Sequence, residues 1–147
     1  MITKVKIQIE SSIENLDAQG LAEGDTEKNL TNAEGSYRFG EGEAFLNFAE
    51  QSEGGKIHTE ISCLGNGVTV RRDGAIESRM HFAEGESHHS LYIIPPYEFD
   101  VIVTAKRVRV DLNSDGGTID LLYHMEIGGA KKKARMKIWI SQASKRV

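Results

Sequence analysis

The chain has 147 residues, 39% of them hydrophobic and 27% charged, with a formal net charge of −4. That length buries about two thirds of the surface an unfolded chain exposes, so one domain is expected, and the apolar content excludes intrinsic disorder. No apolar run approaches the roughly 20 residues of a membrane-spanning helix, and the single cysteine, Cys63, cannot close an internal disulfide, so a cytoplasmic, reducing location is the default expectation.

From the N-terminus, residues 4–13 alternate Val5, Ile7 and Ile9 with Lys4, Lys6, Gln8 and Glu10, which predicts a strand with one buried face rather than a signal peptide. Residues 14–27 carry five acidic and no basic side chains with two glycines, and read as a long surface loop with a helical turn near 13–18. Further strands are expected over 29–39, 44–51, 56–64, 68–72 and 76–84, punctuated by glycine-rich turns, with a three-residue loop at 73–75. The strand at 87–94 ends at Pro95-Pro96, because proline gives no amide hydrogen to a ladder.

The next strand changes phase. Phe99, Val101, Val103 and Ala105 share one parity and Val108, Val110 and Leu112 the other, so a bulge or bend is predicted over 105–107. A two-residue loop at Gly128-Gly129 would set Ile127 against Ala130, Tyr123 against Ala134 and Leu121 against Met136. It would also place Glu126 opposite Lys131 and Asp120 opposite Lys137, neutralising much of the Lys131-Lys132-Lys133 run. A four-residue loop over 113–116 would put Arg109 across from Asp120. About ten strands joined by short turns, with no helical crossover, predict an all-β antiparallel up-and-down meander closed into a barrel of eight to ten strands.

Chemistry is less legible. Residues 1–60 carry 12 acidic and 5 basic side chains, and residues 61–147 carry 10 and 13. A basic stripe of Arg71, Lys106, Arg107, Arg109, Lys131, Lys133, Arg135 and Lys137 with Trp139 matches an RNA- or protein-interaction barrel, which is the alternative reading. The leading reading is a non-catalytic binding module for a small apolar molecule. Its site would gather Arg72, Met80, Phe82, Glu84, Tyr97 and Tyr123, with Arg72 and Glu84 in the inward phase to hold a polar end. The plain alternative is that Arg72 and Glu84 close the barrel ends, that Tyr123 is core, and that large residues such as Phe82, Tyr123 and Met136 fill the interior. The five histidines show no convergent spacing, so neither a metal site nor a cofactor is expected. No nucleophile elbow or phosphate loop occurs, and Cys63 falls in a buried phase, so no catalytic residue is assigned.

Several segments resemble a known family. Val68-Thr69-Val70-Arg71-Arg72-Asp73-Gly74, Met80-His81-Phe82 with Glu84-Gly85, Pro96-Tyr97, and Val110-Asp111-Leu112 leading to Asp115-Gly116-Gly117 and Tyr123 are similar to the YwiB-like family of small bacterial proteins. The resemblance implies a calycin, or lipocalin-like, β-barrel of unknown function, whose interior would offer space for an apolar molecule. The family's Thr-Pro-Tyr-Gly turn is Pro95-Pro96-Tyr97-Glu98 here, without its threonine and glycine.

Overall fold

The computed structural model describes residues 2–143. Alternating sequence becomes ten strands: β1 (Ile2–Leu16), β2 (Ala22–Gly40), β3 (Glu43–Ser52), β4 (Gly55–Leu64), β5 (Gly67–Gly74), β6 (Glu77–Ala83), β7 (Ser87–Ile94), β8 (Tyr97–Asn113), β9 (Gly116–Ile127) and β10 (Ala130–Gln142). Every strand pairs antiparallel with its chain neighbours, and β1 pairs with β10, which closes the meander into a barrel. Closure satisfies the two edges that an open sheet of this kind would leave bare.

The inward phase forms the core. Val5, Ile7 and Ile9 of β1 meet Leu46 and Phe48 of β3, Ile61 of β4, Val68 and Val70 of β5, Leu121 of β9 and Ile138 of β10 in one buried cluster. Fully burying each such side chain stabilises the fold by about 1.5 to 3 kcal/mol. Tyr37 ties one end of the barrel: its hydroxyl donates to the Asn113 carbonyl at 2.7 Å, and burial, with Cys63 nearby, pushes its phenol up to about 12. Gly35, where β2 first pairs with β3, lets the two backbones approach closely; a Cβ there would lie 2.0 Å from the Asn47 carbonyl oxygen.

The expected hairpin at Gly128-Gly129 and the phase slip both hold. Ile127 faces Ala130, Tyr123 faces Ala134 and Asp120 faces Lys137, and the β8–β9 register shifts between Ala105 and Arg107. At that bulge Val108 donates its N–H to the Glu84 carboxylate at 3.0 Å, replacing a ladder partner.

Four expectations need correction. Residues 14–27 are not a loop and contain no helical turn: β1 runs to Leu16 and β2 begins at Ala22, leaving a tight turn held by Asp17, whose carboxylate accepts the N–H groups of Gln19 and Leu21. This hairpin has almost no buried face, so it carries no apolar period to read. The connection after β5 is five residues between the paired Arg72 and Ser78, not three, because Gly74 still pairs with Ile57 of β4. Asn113 and Gly116 are themselves paired, so that turn is shorter than four residues, although Arg109 does face Asp120. Finally, the expected charge matching of the lysine run is not realised as ion pairs. Asp120 binds Arg135, at 2.9 Å and 3.2 Å through both oxygens, and Lys132 donates to Asn15.

Candidate functional site

Among the described residues, the barrel wall has its fewest ladder pairs between β6 and β7. β6 and β7 share only two residue pairs, Glu77 with Ile93 and Ser78 with Tyr92. Beyond them the strands part because the turn joining them is drawn onto β8: Gly85 donates to the Ala105 carbonyl at 2.8 Å, and Ala105 donates to that of Glu86 at 3.1 Å. Side chains replace the missing ladder bonds. Ser90 donates to the Arg79 carbonyl at 2.5 Å, and the rings of His81 and His88 meet edge-on with centroids 4.8 Å apart.

At the paired end of this seam, where Glu77 and Ser78 meet Ile93 and Tyr92, lies a cleft of about 690 Å³. Arg71, Arg72 and Arg79 reach it from β5 and β6, Ser78 and Ser90 lie along its floor, and Leu91 and Ile93 supply an apolar wall. The carboxylates of Asp73, Glu77 and Asp100 also border it, but they do not neutralise all the cations. Arg71 pairs with Asp73 at 3.4 Å and His89 with Asp100 at 3.0 Å, whereas Arg72 and Arg79 have no carboxylate within 4.0 Å among the described residues. Arg71 and Arg79 are also directly opposed in the β5–β6 ladder, an arrangement of like charges that costs stability unless an anion lies between them.

Arg72 is half-buried, shares the phase of Val68 and Val70, and lies near enough to Tyr123 for its charge to act on the phenol. Burial raises the Tyr123 pKa, the nearby guanidinium opposes that rise, and Tyr92 adds to it. Phe82, 1% exposed, packs edge-on to Tyr123 with ring centroids 4.8 Å apart, and Met80 packs beside this core. Arg72, Met80, Phe82 and Tyr123 therefore do come together, but Phe82 and Tyr123 occupy the interior where an enclosed ligand would sit. The other two expected site residues lie elsewhere. Glu84 is at the opposite end of β6, holding the β8 bulge, and Tyr97 is 65% exposed at the start of β8.

Cys63 is buried, and burial pushes its thiol up to about 11, far from a reactive thiolate. His81 shares a 2.9 Å hydrogen bond with Thr69, and His88 lies 3.0 Å from Glu86; no cluster of three metal-binding side chains occurs among the described residues. Sequence reasoning missed the seam; the one signal for it is β7, whose Ser87-His88-His89-Ser90 stretch lacks the apolar alternation of the fully paired strands.

A family model described as "Domain of unknown function (DUF1934)" matches residues 7–139. The uncharacterized beta-barrel protein YwiB of Bacillus subtilis (strain 168) is 27% identical over 94 residues, a stretch covering 64% of this chain and 66% of that protein. The crystal structure of the ywiB protein from Bacillus subtilis superposes with a TM-score of 0.84 at 24% identity, covering 97% of this chain and 94% of that one, which establishes the shared barrel fold.

Proposed function

The chain belongs to the DUF1934 family, a domain of unknown function, and from that premise and the geometry of the seam we propose that it is a non-catalytic module binding a small, largely apolar molecule with an anionic end. The observation that carries this reading is Arg72: a half-buried guanidinium, with no carboxylate within hydrogen-bonding reach among the described residues, that opens onto a 690 Å³ cleft. Half-buried charge without a partner is costly, and a ligand carboxylate or phosphate offsets that cost. Leu91 and Ile93 would take the apolar body of the ligand, and Arg79 its second oxygen. The buried rings of Phe82 and Tyr123 favour this wall site over an enclosed pocket.

The test is a thermal-shift and native-mass-spectrometry screen of medium-chain and aromatic carboxylates, each beside its methyl ester. A carboxylate present at 100 times its Kd adds about 2.7 kcal/mol, which for a domain of this size raises Tm by roughly 5–10 °C. The shift should vanish for the esters and in Arg72→Gln. Equal stabilisation by acid and ester, or none by any acid at millimolar concentration, refutes the assignment.

A further inference from the structure

A second surface, remote from Arg72 in strand order, has the layout of a polyanion platform, and it does not depend on the seam reading. Trp139, the only tryptophan in the chain, points outward from β10 between Gln8 of β1 and Thr118 of β9. It is half-buried at its base, and two shallow clefts adjoin its ring, of about 560 Å³ and 320 Å³. The first is bordered by Lys6 and by Gln8 and Asn32, and the amides of the last two offer donors and acceptors to a planar polar edge. The second is bordered by Lys28, Arg135 and Lys137, with the Lys137 ammonium 5.1 Å from the Trp139 ring centroid.

The charge state of this face departs from what strand register implies. Opposed acids would quench the lysines if each pair closed, yet among the described residues Arg135 is the one cation here with a carboxylate partner. Lys6, Lys28 and Lys137, with Lys131 and Lys133 farther along β10, have none within 4.0 Å, while Glu10 and Glu34 are the acids that border the clefts. A chain of net charge −4 therefore sets three ammonium groups around its one indole, none in an ion pair within 4.0 Å among the described residues, with Glu34 across from Lys6 and Glu10 across from Lys137 in the ladder. Cations beside an aromatic face fit a strand of phosphates with unstacked bases better than a protein partner, which would need an apolar core to its interface.

We propose that the outer face of β10, β1 and β2 binds short single-stranded nucleic acid, with one base stacked on Trp139 and the flanking phosphates held by Lys6, Lys28 and Lys137. The platform carries its own reporter, since the indole is the chain's sole tryptophan. Titrating the full chain with a mixed-sequence single-stranded RNA 12-mer at about 50 mM salt should quench its fluorescence, with Kd in the range of about 1 to 100 µM expected of phosphate-driven binding. Raising salt should weaken binding with a log–log slope near −0.7 per phosphate contacted, so three contacts give about −2. The triple variant Lys6→Gln, Lys28→Gln, Lys137→Gln should flatten that slope. Trp139→Ala should weaken binding by about 5- to 150-fold when followed by the anisotropy of a labelled 12-mer, with Trp139→Phe intermediate. Absence of binding at low salt overturns the proposal. So does binding that leaves the indole fluorescence unchanged, survives the triple variant, or is matched by inorganic polyphosphate with equal quenching.

Discussion

Replacing Phe82 by alanine distinguishes a filled barrel from a hollow one. The side chain is 1% exposed, contacts the Tyr123 ring edge-on at 4.8 Å, and faces Val68 across the β5–β6 ladder. If the interior is close-packed, the substitution removes a whole ring and leaves a void that antiparallel strands cannot collapse into, because their spacing is fixed by the ladder. Such changes cost about 3–5 kcal/mol, and losing the aromatic pair accounts for about 0.5–1.5 kcal/mol of that. For a domain of this size each kcal/mol lowers Tm by about 2–4 °C, so a drop of about 6 to 20 °C is expected, out of a total stability of about 5–15 kcal/mol. Urea unfolding followed by circular dichroism gives the free energy, and calorimetry the Tm. Benzene should partly rescue the variant but not the parent, since a dry apolar void of this kind accepts it. A loss below about 1 kcal/mol would mean that Phe82 already borders empty space. That result would refute the filled interior and return the ligand to the barrel centre.

Two further perturbations follow from the same packing and electrostatics. Gly35→Ala should cost about 1–3 kcal/mol or more in chemical denaturation, since its Cβ would meet the Asn47 carbonyl oxygen at 2.0 Å, whereas Gly54→Ala, with 3.5 Å to the nearest atom, should be neutral or gain about 0.4–1 kcal/mol. The hydrogen bond from Arg135 holds the Asp120 carboxyl below its ordinary value of 3.8, so this contribution to stability is complete above the unfolded-state pKa and lost as pH falls through the lower folded-state value. Asp120→Asn should therefore reduce the acid slope of stability below about pH 4 while changing little of the slope near neutrality, as read from urea midpoints across a pH series.

Period-two alternation and loop parity were enough to place most strands, the bulge and the β9–β10 register, because moving a strand by one residue would turn its whole apolar set into water. Ile119, Leu121, Tyr123 and Met125 leave no other pairing with Ala134, Met136 and Ile138. The acidic hairpin after Ile13 escaped that logic, since a strand pair with little buried face leaves no pattern. Among the candidate site residues, the inward phase of Arg72, Phe82 and Tyr123 was legible, as was the placement of Arg72 and Glu84 at opposite ends of their strands. That Glu84 serves the β8 backbone and Tyr97 faces solvent was not, because both depend on where the strands end rather than on their phase.

What the residues themselves dictated is which side of each ribbon faces the core, because burial of apolar surface is large and acts locally along the chain. What only the folded barrel decided is the closure of β1 on β10, the parting of β6 from β7, and the choice of Arg135 over Lys137 or Arg109 by Asp120. Register brings Cα atoms opposite one another, but strand coiling, a bulge drawing a turn onto a third strand, and rotamers on a curved wall determine which side chains touch. The cleft at Arg72 and the lysines left without ion pairs around Trp139 both arise at that level.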